Sequence, residues 1–168
     1  MRKFLLTTLL AIMMSATTAF AANWGQIYTD QNDDVIYFDM DSVQISAIDS
    51  TRKDVTFSAV YRTDYSDRGR QALIDWYRNY SSLPPDIGSL SYDMTTIQFK
   101  REGDKRYYYI ADRTFYTANG APIADMHYVA SDMNWQEIPV GSVEDVEYFE
   151  AVLIVDGKLY KRIDAENL

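Results

Sequence analysis

Val55-Thr56-Phe57-Ser58-Ala59-Val60-Tyr61-Arg62 is the stretch on which the fold turns. Val55, Phe57, Ala59 and Tyr61 alternate with Thr56, Ser58, Val60 and Arg62, the two-residue period of a strand that lays one face on a core. Before it, Trp24-Gly25-Gln26-Ile27-Tyr28 and Val35-Ile36-Tyr37-Phe38 flank the turn-forming run Asp30-Gln31-Asn32-Asp33-Asp34, which predicts a β-hairpin closed by residues 39–43. Residues 45–53 read as a polar connection.

After the strand the period changes. Leu73, Trp76, Tyr77 and Tyr80 stand at i, i+3, i+4 and i+7, with Ser66 or Asp67 placed to cap, so an amphipathic helix is predicted over 66–80. Pro84-Pro85 ends it and opens a rigid loop to Ser89. Strand signals return at Leu90, Tyr92, Met94 and 97–99, then at 106–110 after Glu102-Gly103-Asp104, a hairpin turned by Gly103. Residues 114–117 run on to the turn dipeptide Asn119-Gly120, and a last antiparallel strand is expected over 123–130. Gly141 then breaks the chain, and Ser142, three residues before Asp145, starts a helix over 142–153 whose apolar face would hold Val143, Val146, Phe149 and Leu153, with Ala151 and Val152 beside them. A hairpin around Asp156-Gly157 competes with that helix over 151–162. The reading is one α+β unit with a meander sheet, without repeat or low-complexity tract.

Arg2 and Lys3, the apolar run 4–14 and Ala19-Phe20-Ala21 form the pattern of an export signal, with cleavage expected before Ala22. The run is short of the ~20 residues that span a bilayer. With no Cys in the chain, lipoprotein anchoring and disulfide stapling are not expected, so the mature protein would be periplasmic, secreted or surface-associated. Losing Arg2 and Lys3 leaves 14 basic residues of the 16 against 25 acidic ones, a formal charge of −11. Such a charge repels a phosphate backbone, so nucleic acid is not an expected partner. The 14 Tyr, 3 Trp and 7 Phe suit half-buried strands, and an exposed row of them would serve carbohydrate or protein binding.

No catalytic or cofactor signature is found. Asp30, Asn32 and Asp34 begin like a calcium loop, but Val35 stands where an EF-hand needs Gly and Asp41 where it needs Glu. An acidic hairpin tip explains the same residues, and weak calcium binding stays open. His127 is the only histidine, and with Asp125 and Ser131 nearby it still lacks triad geometry on a strand. Paired carboxylates cannot be located from sequence spacing, so hydrolysis by such a pair has no motif behind it. Lys100, Arg101, Lys105 and Arg106 flank one hairpin tip, beside Tyr107, Tyr108 and Tyr109. They are the candidate partner-binding cluster, suited to a polyanion or an acidic stretch of protein, although tips are also charged simply to stay wet.

The order Trp24, Tyr37-Phe38-Asp39, Asp41-Ser42-Val43, residues 107–110, Tyr116, Gly120 and Trp135-Gln136-Glu137-Ile138-Pro139-Val140-Gly141-Ser142-Val143 resembles the bacterial surface-adhesin protein E family. The resemblance spans nearly all of the mature chain. It implies an antiparallel sheet of about five or six strands packed by a C-terminal helix, here with one extra mid-chain helix. It further implies a non-enzymatic exported module contacting a host or envelope macromolecule, and a possible homodimer. A soluble periplasmic maintenance or inhibitor protein is the alternative.

Overall fold

The computed structural model describes residues 22–49, 51, 53–80, 84, 86–127 and 135–166. The export-signal segment 1–21, loop residues 81–83 and Pro85, the end of the strand expected over 123–130, and Ser131 lie outside the described residues. Among the described residues, eight strands and two helices follow in order. These are β1 (Trp24–Thr29), β2 (Val35–Asp39), β3 (Gln44–Ile48), β4 (Val55–Asp64), α1 (Asp67–Tyr80), β5 (Leu90–Glu102), β6 (Lys105–Thr117), β7 (Pro122–His127), β8 (Gln136–Glu137) and α2 (Val143–Glu166). A 3-10 turn at Ile87–Ser89 leads into β5.

All strands join one antiparallel sheet in the order β1-β2-β4-β5-β6-β7, so the meander is present. Two strands depart from it. β3 pairs with the first half of β4 and β2 with the second half, end to end on the same edge. At the gap between them the hydroxyl of Ser42 accepts the amide of Val60 (2.8 Å), so a side chain replaces a ladder partner. The polar connection expected over 45–53 is therefore corrected: it contains β3, a mostly exposed edge strand whose Gln, Ser and Ala give little strand signal. β8 is a two-residue strand added to β6 beside Tyr107 and Tyr108.

Register decides what shares a face. Val55, Phe57, Ala59, Tyr61 and Thr63 of β4 stand opposite Arg101, Phe99, Ile97, Thr95 and Asp93 of β5. Across a bulge these continue to Arg106, Tyr108, Ile110, Arg113 and Phe115 of β6. Both helices pack on this one face. α2 covers a core of Phe38, Val55, Phe57, Tyr61 and Phe99 with Tyr148, Ala151, Val152, Val155 and Leu159. Under α1, a smaller cluster joins Ile74 and Tyr77 to Ile87, Leu90 and Phe115. The other face carries Arg62, Tyr92, Tyr107, Tyr109 and Tyr116 half-buried, outside both clusters.

The expected helix faces are met in part: Leu73 and Tyr77 of α1 and Ala151 and Val152 of α2 meet the core, while other members of each stripe point outward. Val146, Phe149 (56 % exposed) and Leu153 (54 %) lie on the outside of α2, which is apolar on two sides and buries the one with the smaller Ala151 and Val152. In α1, Ile74 and Tyr77 are buried while Trp76 is exposed. The competing hairpin at 151–162 does not form. Tyr148, Ala151, Val152, Val155 and Leu159 recur at helical spacing, and α2 runs through Gly157 to Glu166. Ser142 caps α2 as expected, its hydroxyl accepting the Asp145 amide (3.2 Å), while the Asp145 carboxylate accepts the Gly141 amide (2.8 Å). Among the described residues, no helix is long and apolar enough to cross a membrane.

Candidate functional site

Between the two core clusters the helix-bearing face turns polar. Tyr61 and Thr63 on β4, Thr95 on β5 and Arg113 on β6 replace the aliphatic and aromatic rows on either side. Neither helix fills this gap. A cavity of about 240 Å3 remains, floored by those residues and walled by Tyr28, Asp30 and Asp34 from the N-terminal hairpin and by Glu144 and Glu147 from the first turns of α2. Tyr65 and Tyr108 complete the rim.

The acidic turn reaches the cavity for a local reason. The Asp30 carboxylate accepts the amides of Asn32 (2.8 Å) and Asp34 (2.9 Å), folding the turn upon itself. Asp34 is then carried to the start of α1, where its carboxylate accepts the Ser66 amide (2.7 Å). The Ser66 hydroxyl accepts the Gly69 amide (3.0 Å), the N-cap bond. Burial pushes the Asp34 carboxyl above its ordinary pKa, opposed by the Ser66 bonds. The turn therefore braces a helix and lines a cavity. Among the described residues, no group of three His, Cys, Asp or Glu side chains is arranged to hold a metal ion.

Beneath the floor, Asp93 is 1 % exposed and fully engaged. Its carboxylate accepts the Tyr65 hydroxyl (2.6 Å) and the Thr95 hydroxyl (3.2 Å), and lies 3.5 Å from the Arg113 guanidinium. Arg113 Nε also donates to the Thr95 hydroxyl (2.9 Å). Burial raises the Asp93 pKa, and Arg113 is the largest influence opposing it. The Asp93 carboxylate is thus met by two hydroxyls and one guanidinium.

Glu147 is different. It is 9 % exposed and lines the cavity, yet no described residue hydrogen-bonds its carboxyl; the Tyr61 hydroxyl donates instead to its backbone carbonyl (2.7 Å). Among the described residues, no side-chain nitrogen or oxygen sealed from solvent lacks a partner, so the access Glu147 keeps is through the cavity. Desolvation, then the neighbouring charge of Glu144, push its pKa up to about 8. Burial pushes the Tyr28 and Tyr61 hydroxyls upward too, so both stay neutral.

The cationic hairpin tip is largely engaged within the molecule. Arg101 bonds Asp156 (3.3 Å) and the Lys53 carbonyl (3.2 Å), and Arg106 pairs with Asp145 while lying 5.5 Å over the Tyr148 ring. Lys100 pairs with Glu102 (3.0 Å) and sits 4.9 Å over the Tyr107 and Trp135 rings on the opposite face. Lys105 is exposed at the tip. Tyr108 alone of the expected cluster reaches the cavity, its hydroxyl bonding Gln136 (3.1 Å) and Glu144 (3.3 Å). His127 is an exposed edge residue held by Asp112, which raises its pKa.

Sequence reading did not single out Glu144, Glu147, Asp93 or Arg113. The one available signal was the acidic helix start, where Glu144 and Glu147 stand at i and i+3 beside Asp145 and Glu150. Comparison of the chain with protein-family models, curated proteins and solved structures finds no match.

Proposed function

We propose that this chain is an exported, non-enzymatic binding module whose ligand enters the cavity between α1 and α2. One observation carries the reading: Glu147, nine-tenths buried, faces the cavity without a hydrogen-bond partner among the described residues. A largely desolvated carboxyl group whose remaining access is through the cavity is placed to meet whatever enters there. The signal-like segment 1–21 supports export, and the resemblance to surface-adhesin protein E supports contact with a host or envelope macromolecule. With Arg101 and Arg106 anchoring α2, the cavity is a better contact site than the hairpin tip. The test is a thermal-shift screen of amines, carboxylates and neutral sugars, together with matrix and envelope proteins. Stabilisation of wild type that disappears in Glu147→Leu supports the reading, and a panel without any Glu147-dependent ligand overturns it.

A second reading rests on the same residue. A carboxyl group that keeps its proton at neutral pH, beside Glu144, Asp30 and Asp34, has the makings of a general acid with a partner carboxylate. Glycoside substrates that turn over with wild type and not with Glu147→Gln would establish hydrolysis, and intact substrates with both proteins would end this reading.

A further inference from the structure

We propose that the cavity takes an alkylammonium group, held by the Glu147 carboxylate and walled by tyrosines. The inference rests on the binding-module reading and narrows its ligand to one chemistry.

Charge gives the first argument. Asp30, Asp34, Glu144 and Glu147 line the cavity against a single cation, Arg113, whose guanidinium is already turned to Asp93 and Thr95. A cavity with that balance concentrates positive ligands and repels carboxylates and phosphates.

Hydrogen-bond inventory gives the second. The Tyr61 hydroxyl donates to the Glu147 carbonyl, the Tyr65 hydroxyl to Asp93 and the Tyr108 hydroxyl to Gln136 or Glu144. Those three protons are committed to protein acceptors, which leaves the Tyr28 and Thr63 hydroxyls and an excess of carboxylate oxygens toward the space. An ammonium group offers three donors and no acceptor, which matches that remainder; a sugar hydroxyl brings an acceptor as well. Aromatic walls add attraction for a cation and cover the methylenes that carry it.

Size and geometry give the third. About 240 Å3 suits a small amine or the end of a lysine side chain. The acidic side chains do not converge into a metal-binding group among the described residues, which favours an organic cation over a metal ion.

Titration supplies the readout. Facing Glu147 are Glu144 on its own helix, Tyr61 and Tyr108 with Arg113 on the sheet and Asp93 behind them, and Tyr28, Asp30 and Asp34 from the hairpin. In the empty protein this setting holds the Glu147 proton up to about pH 8. An ammonium ligand requires the carboxylate, so binding expels that proton and tightens as pH rises toward 8.

The experiment is calorimetric titration of the purified protein with n-butylammonium, cadaverine and a lysine-containing tripeptide amide, with n-butanol and butyrate as isosteric controls. The amines should bind, the controls should not, and affinity should rise about tenfold or more from pH 6 to pH 8. Repeating the titration in buffers of different ionisation heat should show nearly one proton released per amine at pH 6.5. Glu147→Gln should lose at least tenfold in amine affinity and release no proton; Glu144→Gln, a second variant, should lose less. Tighter binding of cadaverine identifies a free amine as the source, and tighter binding of the tripeptide identifies a partner's lysine. Equal affinity for n-butanol, or Glu147→Gln binding amines within twofold of wild type, overturns the inference. A neutral sugar that binds only when Glu147 is present overturns it too, while leaving the binding-module reading intact.

Discussion

At Glu147 a helix turn carries a carboxyl group to a place where water is scarce and negative charge is already present, and both effects favour its proton. Its pKa moves from the ordinary 4.5 to about 8 on folding, so across that window the unfolded chain gives up a proton that the folded one keeps. The contribution is therefore complete below about pH 4.5 and lost as pH rises through 8. Glu147→Gln removes this dependence. Relative to wild type it should gain up to about 4 kcal/mol at pH 8 and show little difference at pH 4 in denaturant unfolding. A ligand group that weakens its own fold is the usual trade between stability and function. Gly69 tests the other end of the cavity wall. Helix propensity alone would make Gly69→Ala stabilising by up to about 1 kcal/mol. A Cβ there would overlap the Asp34 carboxylate, which is buried and held by Ser66, so we expect a net loss of about 1–3 kcal/mol instead. In an Asp34→Ala background the sign should reverse, read as the midpoint of urea unfolding.

Among the elements, α2 shows how far periodicity goes. Its cap, Ser142 with Asp145, is readable because capping is a local hydrogen-bond pattern, and the structure contains it. Which side it buries is not readable, since Val146, Phe149 and Leu153 make as good a stripe as Tyr148, Val152 and Val155. Contact with Phe57 and Phe99 decides: the Tyr148 ring lies 5.9 and 5.8 Å from theirs. Val155→Ala should accordingly cost about 2 kcal/mol and Phe149→Ala less than about 0.5 kcal/mol in the same unfolding assay. The β5–β6 tip divides similarly. Arg106→Glu opposes Asp145 and abandons the Tyr148 ring, so it should destabilise by roughly 2 kcal/mol, whereas exposed Lys105→Glu should stay within about 0.5 kcal/mol. Reversing all four cations at once would thus report on helix docking as well as on any partner. β3 escaped notice because an edge strand needs only backbone pairing with β4, and its exposed side chains carry no core pattern.

On the scale of the molecule, two helices on one sheet face leave the other face to half-buried aromatics. Tyr92 stacks on Tyr116 at 4.9 Å, and Arg62 lies 4.1 Å over the Tyr92 ring. That row fits the tyrosine-rich strands of the sequence. The processed chain is expected to begin at Ala22, and intact mass spectrometry of protein recovered from the periplasm or medium should show residues 1–21 removed; retention of the full 168 residues in the cytoplasm would contradict export. Apart from the edge strands β3 and β8, the strands, their turns at Gly103 and Gly120, both helices and the antiparallel meander were legible in the sequence alone, since each follows from side-chain period and turn chemistry within a few residues. The cavity was not. It brings together residues from the 28–34 turn, three central strands and the start of α2, and it exists because two separate packing clusters meet imperfectly over Thr63, Thr95 and Arg113. Local sequence determines which segments become strand or helix. Which carboxyl loses its water, and so changes its chemistry, depends on distant segments closing around it, and tertiary structure alone decides that.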